Sequence, residues 1–458
     1  MTALWTSADI AAATGGTASA DFTVSGVAFD SREVGPADLF VALKGETTDG
    51  HRFIEGAFAQ GAAGAIVSDD VPFPHIRVAD TTAALDALGI AGRARTQAKI
   101  VGVTGSVGKT GTKEALADAL ARANRGRVHR SVKSYNNHTG VPLSLARMPA
   151  ESAFGVFEMG MNHSGEIRAL TKMVRPHVAL ITAIASAHIE HLGSMEAIAD
   201  AKSEVFEGLE PGGTAIIPFD TPYRDRIIAA AKAAGVASIV TFGRGDGADV
   251  RPLDTVETAH GTSILARLPD VELSFTLAQP GEHWVSNAMG VLAAVQALGG
   301  DLAAAGLALA DMEGLAGRGA RHSIATPDGG SATLIDESYN ANPASMAATL
   351  SVLAATPATR RIAVLGEMRE LGSDGEALHA GLAETVIQAG VDFALLVGAG
   401  MAPLAKALEG RTEVIHAPDA GTALDSLPKV LRDGDTILIK GSNAVGLSRV
   451  VSKLVGGQ

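Results

Sequence analysis

The sequence predicts an α/β protein of three domains: a small mixed α/β domain over residues 1–92, a central parallel-sheet domain over 93–318 and a Rossmann-like domain over 319–458. Three observations lead to this prediction. The chain has 458 residues, which is long for one hydrophobic core. Short β-branched apolar runs alternate with segments of helical periodicity, as parallel sheets with crossover helices require. A strand, a glycine-rich turn and a helix follow one another over residues 99–113.

Residues 99–113, KIVGVTGSVGKTGTK, are arranged like a phosphate-binding loop. Ile100–Val103 has strand character, two glycines mark the turn, and apolar residues recur at helical spacing after Lys109. In such loops backbone N–H groups and the helix N-terminus bind phosphate, and the lysine and the following hydroxyl reach phosphate and magnesium. The pattern G-x-x-x-x-G-K-[ST] is not fully met, so a glycine-rich turn that merely contains a lysine is the alternative. We predict a nucleoside-triphosphate site in a P-loop ATPase domain, with the candidate ligands Thr104, Gly105, Ser106, Val107, Gly108, Lys109, Thr110 and Gly111.

The composition argues against several classes of protein. With 37 basic against 50 acidic residues the formal net charge is −13, which disfavours a nucleic-acid partner. The chain has no cysteine, which excludes disulfides and thiolate chemistry. The first residues carry neither a basic segment nor a long apolar core, and no later apolar run is long enough to span a bilayer. We therefore expect a cytoplasmic protein that does not insert into a membrane.

The first domain is predicted from four strand-like runs and two helical stretches. We expect strands at Phe22–Phe29, Asp38–Leu43, Ala65–Ser68 and Ile76–Val78, and helices at Phe53–Gln60 and Thr82–Ala91. Two polar turns follow strands, one containing DSR and one KGETTDGH. Such turns suit a diphosphate or a sugar, although they are equally often solvated turns. The candidate ligands in them are Ser31, Arg32, Lys44, Gly45, Asp49 and His51.

In the second domain, polar residues follow strands predicted at Phe154–Glu158, Val178–Ala183 and Thr214–Ile217. Ligands of doubly wound sheets bind at the carboxyl ends of the strands. Glu158 is therefore a candidate magnesium ligand, with helix capping as the alternative. The later run HIEH invites a zinc interpretation but fits neither H-E-x-x-H nor H-x-x-E-H. Other polar candidates are Asn136 and Asn137 in a loop and Lys202 in a helical segment, where a lysine is ordinarily solvated.

The third domain again alternates strands with helices, and we predict a second parallel sheet. We expect strands at Thr333–Asp336, Arg361–Leu365, Phe393–Val397, Glu413–His416 and Thr436–Ile439, and helices at Pro343–Ala355, His379–Ala389 and Ala402–Leu408. The segment DESYNANP places a proline at a helix start, which is a favoured position. No G-x-G-x-x-G fingerprint follows any of these strands, so the Rossmann-like fold does not imply NAD.

Beyond these local patterns, a series of motifs resembles the ATP-dependent Mur ligases along essentially the whole chain. In order they are DSR, DLFVALKGETTDGH, TGSVGKTGTK, YNNHTGVP, EMGMNHSGEI, AHIEHLGS, AKSEVF, PGEHWVSNA, GR at 317–318, DESYNANP, LGEMRELG and IKGS. The phosphate loop is shared with folylpolyglutamate synthases. DESYNANP and EMGxxxxGEI look like the branch that joins D-alanyl-D-alanine to UDP-N-acetylmuramoyl-tripeptide in peptidoglycan precursor synthesis. The resemblance therefore implies an ADP-forming amide ligase that uses ATP and Mg²⁺, and it implies a monomer.

The resemblance also implies roles for individual residues. Lys202 matches the family's lysine that carbon dioxide carbamylates, which turns it into an anion able to help hold a second metal ion. The implied catalytic residues are Lys109, His188, Lys202 and Arg318; the metal ligands are Thr110, Glu158, His188 and Lys202. The implied ATP contacts beyond the phosphate loop are His283, Asn287, Arg318, Asp336, Tyr339 and Asn340. The UDP-linked substrate would contact the turns of the first domain together with Asn136 and Asn137.

The chemistry that the resemblance implies fits these residue types. A carboxylate is a poor electrophile, so transfer of the γ-phosphoryl group of ATP would convert it to an acyl phosphate, which an amine then attacks. The protein's contribution is then positioning and charge neutralisation. One alternative is a related ligase that adds diaminopimelate, lysine or glutamate, for which a DNPR-like motif is missing. The other is a non-catalytic nucleotide-dependent switch, which would leave Glu158, His188 and Lys202 without a role.

Overall fold

A computed structural model of the chain describes residues 3–45, 48–186, 189–258 and 260–456. Helices and strands alternate through this part of the chain, and its larger sheets follow one another along the sequence. The predicted α/β class with three sheet-based domains is therefore confirmed. The limits 1–92, 93–318 and 319–458 stay a prediction, and one helix, Thr81–Ala94, spans the first of them. No helix of the described residues is both long and apolar enough to cross a membrane.

The N-terminal domain is a small mixed sheet with helices packed against it. Its strands are β1 Trp5–Thr6, β2 Thr17–Ala18, β3 Thr23–Val24, β4 Gly26–Ala28, β5 Asp38–Val41, β6 Gly64–Val67 and β7 His75–Arg77. Its helices are α1 Ser7–Thr14, α2 Ile54–Ala59 and α3 Thr81–Ala94. The sheet order is β2-β7-β6-β5-β4, in which β2 and β7 are antiparallel and the other neighbours are parallel.

The central domain is built on a parallel sheet of order β13-β12-β11-β8-β10-β9. The strands of this domain are β8 Lys99–Thr104, β9 Val128–Arg130, β10 Phe154–Glu158, β11 Val178–Ile181, β12 Thr214–Pro218, β13 Ser238–Phe242, β14 Arg251–Thr258, β15 Gly261–Arg267 and β16 Glu272–Leu277. Its helices are α4 Lys109–Ala123, α5 Gly140–Ala146, α6 Glu166–Val174, α7 Ile189–Leu192, α8 Met195–Ser203, α9 Arg224–Ala233, α10 Glu282–Ala297 and α11 Leu302–Ala310.

Strand β8 lies inside the central sheet because successive side chains are apolar on both faces. Val101 and Val103 pack into one buried cluster with apolar residues of α4 and α10. Ile100 points to the opposite face and joins a second cluster with α5, α6 and α8. A strand that is buried on both faces reads as a continuous apolar run, which is why the sequence predicted it. The carboxyl ends of β8, β10 and β11 consequently meet at one edge of the sheet.

The C-terminal domain is a second sheet, of order β17-β18-β22-β19-β20-β21. Its strands are β17 Ala320–Ala325, β18 Ser331–Glu337, β19 Arg360–Gly366, β20 Phe393–Val397, β21 Glu413–Ala417 and β22 Asp435–Lys440. Its helices are α12 Pro343–Ala355, α13 Gly375–Ala380, α14 Ala383–Gln388, α15 Ala402–Leu408, α16 Ala420–Val430 and α17 Ser448–Gly456.

Several features differ from the sequence predictions. The single strand predicted at Phe22–Phe29 is interrupted at Ser25, and its two parts pair differently: β3 with β1 and β4 with β5. Strands β14–β16 form a separate antiparallel sheet that was not predicted, because polar residues interrupt their apolar alternation. The edge strand β17 runs antiparallel to β18, so the C-terminal sheet is mixed rather than wholly parallel. The single helix predicted at His379–Ala389 is divided into α13 and α14 around Gly381. Glycine is a poor helix former, which is consistent with a break there.

Candidate active site

The phosphate loop joins β8 to α4 and is fixed by residues that follow β11. Ser106 N–H donates to the Ala183 carbonyl at 2.8 Å, and Thr182 Oγ1 donates to the Val107 carbonyl at 2.5 Å. Gly108 begins the helix at φ +82°, a conformation that favours glycine. A Cβ on Gly105 would lie 2.0 Å from Thr182 Oγ1, so a side chain there would prevent this packing. The structure therefore has the strand, glycine-rich turn and helix that the sequence predicted.

Oxygen-bearing side chains from several elements converge beside the phosphate loop. Thr110 Oγ1 donates to Glu158 Oε2 at 2.9 Å, and Asn136 Nδ2 donates to Glu158 Oε1 at 2.7 Å. Ser134 Oγ lies 3.3 Å from Thr110 Oγ1. Three predicted residues, Thr110, Asn136 and Glu158, are thus brought together, and Ser134 is a neighbour that no motif indicated.

This cluster suits a magnesium ion that also has phosphate oxygens as ligands. A carboxylate and a hydroxyl are the hard oxygen donors that magnesium prefers, and such sites normally use few protein ligands. No group of three or more His, Cys, Asp or Glu side chains forms a metal site within the described parts of the chain. His188, a predicted metal ligand and catalytic residue, lies outside the described residues.

Two lysines of the central domain have lowered pKa values. Lys109 Nζ donates to the Gly105 carbonyl at 2.8 Å, and desolvation lowers the pKa of Lys109 despite the nearby Glu158 carboxylate. Lys202, on α8, is only 1% exposed. Burial, together with a smaller effect of the Lys109 ammonium, places the pKa of Lys202 well below its ordinary value. The interpretation of Lys202 as an ordinary solvated helix lysine is therefore wrong.

A cavity of about 510 Å³ separates the phosphate loop from the C-terminal domain. Arg318 lines it, with its guanidinium carbon 4.2 Å from the centre of the Tyr339 ring and Nη2 donating to Ser134 Oγ at 3.3 Å. Arg318 therefore bridges residues from both sides of the cavity. Its lining also includes most of the predicted phosphate-loop ligands and the predicted residues His283, Asn287, Tyr339 and Asn340.

Asp336, a predicted ATP contact, is used by the chain itself. Its Oδ2 accepts the Gly317 N–H at 2.7 Å, and its Oδ1 accepts the Ser338 N–H and hydroxyl at 3.1 and 2.6 Å. Asp336 therefore fixes the segment that carries Arg318. The neighbouring Glu337 lines the cavity instead and pairs with Lys440 at 3.6 Å.

Glu337 and Lys440 share a poorly solvated environment. Burial raises the pKa of Glu337 and lowers that of Lys440, and Lys440 Nζ also donates to the Asn340 carbonyl at 2.8 Å. Burial, with a smaller effect of the Lys440 ammonium, lowers the pKa of His283 to about 4, so its imidazole is neutral near pH 7. Sequence reasoning noted the motifs that contain Glu337 and Lys440 but gave neither residue a role.

The predicted substrate residues of the first domain lie in two turns, and the two turns differ. Arg32 is exposed and forms a two-pronged ion pair with Asp30, and the exposed Lys44 lies 4.0 Å from Asp49. Asp49 accepts from the backbone and ring of His51, whose Nε2 accepts the Ser68 N–H at 2.9 Å. Asp49 and His51 therefore order the second turn. Of the remaining candidates, Ser31 in the first turn is half-buried and Gly45 in the second turn is exposed.

The loop after β9 connects the first domain to the cavity. Tyr135 OH donates to both carboxylate oxygens of Glu33, at 2.9 and 2.8 Å, and Lys133 pairs with the same carboxylate. Glu33 belongs to the turn that contains Ser31 and Arg32. Asn137, predicted beside Asn136 as a substrate contact, accepts the Gly140 N–H at 2.9 Å at the start of α5. Its side-chain oxygen thus fixes the backbone where α5 begins.

Fold and site together define a P-loop α/β protein with a cavity between its phosphate loop and its C-terminal domain. The chain belongs to the Mur ligase family. The family models for the Mur ligase family catalytic domain, the Mur ligase middle domain and the Mur ligase glutamate ligase domain match residues 23–117, 103–295 and 321–443. The family predicted from the motifs is thereby confirmed.

Similar proteins of known name cover nearly the whole chain. UDP-N-acetylmuramoyl-tripeptide–D-alanyl-D-alanine ligase from Escherichia coli strain K12 is 34% identical over 95% of this chain and 94% of its own length. The Bacillus subtilis strain 168 protein of that name is 33% identical over 94% of this chain and 93% of its own length. A crystal structure of MurF from Acinetobacter baumannii matches with a TM-score of 0.84 at 31% identity, over 99% of both chains.

Proposed function

We propose that this chain is the ATP-dependent amide ligase that joins D-alanyl-D-alanine to UDP-N-acetylmuramoyl-tripeptide, in peptidoglycan precursor synthesis. The observation that carries the proposal is the convergence of Lys109, Thr110 and Glu158 in a cavity bridged by Arg318 of the neighbouring segment. The relatives that share the family over nearly the whole chain carry this activity in their names.

The positive groups beside the phosphate loop would bind and orient the triphosphate. Lys109 and the backbone N–H groups of the loop would contact its phosphates, and Arg318 would neutralise the charge of the transferred phosphoryl group. Thr110 and Glu158 would hold Mg²⁺, which when bound neutralises phosphate charge and aligns the γ-phosphoryl group. The acceptor carboxylate takes the phosphoryl group and ADP leaves; the amine then displaces phosphate from the acyl phosphate.

Lys202 is proposed to act as a carbamate rather than as an ammonium. Its amine is almost fully buried and has a strongly lowered pKa, so the neutral form that reacts with carbon dioxide is favoured. The nitrogen would form a bond to the carbon of carbon dioxide and release one proton. The resulting carboxylate-like group would offer oxygen donors to a metal ion and would be attracted to the Lys109 ammonium.

The remaining site residues would bind the nucleoside of ATP and the diphosphate of the UDP-linked substrate. The neutral imidazole of His283, with Asn287, Tyr339 and Asn340, would contact the nucleoside of ATP, and Glu337 is better placed than Asp336 to accept from a ribose hydroxyl. The exposed Arg32 and Lys44 of the first domain would bind the diphosphate of the UDP-linked substrate, beside Ser31 and Gly45. A monomeric state and a cytoplasmic location remain predictions.

The test is phosphate release by the purified full chain with Mg-ATP, UDP-N-acetylmuramoyl-tripeptide and one amine at a time. We expect release only when the tripeptide and D-alanyl-D-alanine are both present, with a product whose mass equals the two substrates minus water. Slow hydrolysis that ignores the amine would favour a nucleotide switch. Release with diaminopimelate, lysine or glutamate would assign another Mur ligase activity. Comparing lysine- and diaminopimelate-containing tripeptides would identify the acceptor's third residue.

A further inference from the structure

A second lysine of α4, Lys113, is fully buried although no step of the proposed reaction uses it. It lies one helical turn after Lys109, so both lysines project from the same face of the helix. The Lys113 ammonium donates to the Ser131 carbonyl at 2.8 Å and to the Lys133 carbonyl at 2.6 Å, and it pairs with Glu114 at 2.7 Å.

The two carbonyls belong to a loop, residues 131–136, whose backbone is strained at the point where Lys113 holds it. Lys133 has φ +52°, a left-handed conformation that is unfavourable for a residue with a side chain. Strain of this kind persists only where the surroundings enforce it, and it is frequent at functional sites. A buried ammonium with fixed carbonyl partners provides such enforcement.

The strained turn aims the next residues of the loop at the phosphate loop. Ser134 Oγ lies 3.3 Å from Thr110 Oγ1 and accepts from Arg318 Nη2 at 3.3 Å. Asn136 Nδ2 donates to Glu158 at 2.7 Å, and the Asn136 carbonyl accepts the Gly160 N–H at 2.8 Å. The 131–136 loop therefore touches both candidate magnesium ligands.

We propose that Lys113 is a positioning residue for the nucleotide–magnesium site. It holds the 131–136 loop in its left-handed turn and so sets Ser134 and Asn136 against Thr110 and Glu158. A core position needs no charge for packing, and burying an ammonium is costly unless its partners compensate. The charge is explained if its function is to hold backbone carbonyls in place. This inference rests on the proposed function only in requiring that a nucleotide binds at the phosphate loop.

The test is Mg-ADP binding by calorimetry to the full chain and to Lys113→Met, whose unbranched apolar side chain is one heavy atom shorter and carries no charge. We expect binding about tenfold weaker in the variant, because ligands that are no longer held in place lose preorganised binding energy. The matched control is Lys99→Met, which removes a lysine bond to the Leu298 carbonyl (2.8 Å) in the same domain and should bind like the wild type.

A double-mutant cycle separates positioning from a general structural role. If Lys113 acts through the loop, adding Lys113→Met to the pair Ser134→Ala/Asn136→Ala should weaken binding by less than about twofold further, because coupled positions are not additive. Amide hydrogen exchange should rise in residues 131–136 and stay unchanged in β8. A full additional tenfold loss, or exchange that rises throughout the domain, would overturn the proposal.

A second variant covers the case in which Lys113→Met does not fold. Lys113→Gln replaces the ammonium with a neutral amide that can still donate to a carbonyl, and we expect its Mg-ADP affinity to fall about threefold. Wild-type affinity in a folded Lys113→Gln or Lys113→Met protein would refute the positioning role alone. Failure of the wild-type chain to bind Mg-ADP would instead refute the proposed function.

Discussion

Replacing Arg318 separates its proposed part in catalysis from its contacts in the free protein. The guanidinium stacks on Tyr339 at 4.2 Å and donates to Ser134 Oγ at 3.3 Å. A cation–π contact contributes about 0.5–2 kcal/mol and a hydrogen bond from a charged donor about 1.5–3 kcal/mol, so the two together contribute at most about 5 kcal/mol. Losing them alone would slow the reaction by at most about 5,000-fold.

An arginine that neutralises charge during phosphoryl transfer contributes up to about 10⁵ in rate. We therefore expect Arg318→Ala to lower kcat by at least about 10,000-fold, measured as ADP release at saturating Mg-ATP and both substrates. Arg318→Lys keeps the charge without the planar fork and should lie between the alanine variant and the wild type.

The matched control for Arg318 is Tyr339→Leu, which removes the stacked ring and leaves the guanidinium. Its kcat at saturating ATP should fall by no more than about 30-fold, the equivalent of the largest cation–π contribution. Equal losses in Arg318→Ala and Tyr339→Leu would mean that Arg318 serves only to hold the domains together, and the catalytic role would be refuted.

Four further predictions concern other parts of the molecule. Lys109→Ala should lower phosphoryl transfer by several orders of magnitude with an unchanged circular dichroism spectrum, and near-normal turnover would refute the phosphate-loop assignment. Lys202→Ala and Lys202→Arg should both be severely impaired, with acetate partly restoring the alanine variant; full activity in Lys202→Arg would exclude a carbamate. Small-angle scattering should show compaction about residues 317–319 when an ATP analogue and the UDP-linked peptide are added together, and an unchanged radius of gyration would contradict the hinge. Burial is the main reason that the pKa of His129 is lowered to about 4, so between pH 6.5 and 4 the unfolded chain binds a proton that the folded chain does not. As the pH is lowered from 6.5 to 4, the free energy of unfolding from urea titrations should fall by up to about 3 kcal/mol. His129→Gln should reduce this dependence of stability on pH.

The sequence predicted those elements whose signal is local. Strand β10 and helices α12 and α15 have the predicted limits, because a continuous apolar run or a proline at the helix start fixes each of them. Strands β14–β16 were not predicted, because Thr, Glu and Ser on their exposed faces weaken the apolar alternation. Whether such a half-exposed segment forms an antiparallel strand depends more on the strands that it pairs with than on its own residues.

The site could be predicted only in part, for a similar reason. Motif spacing identified Lys109, Thr110 and Glu158, which lie on the elements that the motif itself specifies. A polar side chain that binds a ligand looks the same in sequence as one that fixes a turn, and the hydrogen bonds by which Asp336 and Asn137 fix turns could not be predicted. The roles of Lys113, Ser134 and Lys440 depend on contacts between residues far apart in the chain, which spacing cannot reveal.

The central claim is that the γ-phosphoryl group of ATP is transferred to a substrate carboxylate. Oxygen-18 transfer tests it most directly. The UDP-linked tripeptide would be prepared with both oxygens of its terminal carboxylate labelled and incubated with the chain, Mg-ATP and D-alanyl-D-alanine. If an acyl phosphate forms, the amine displaces the bridging oxygen together with phosphate. The released inorganic phosphate should therefore carry one labelled oxygen per molecule, and the new amide should keep the other. Phosphate without label, in a reaction that still forms the amide, would contradict the account.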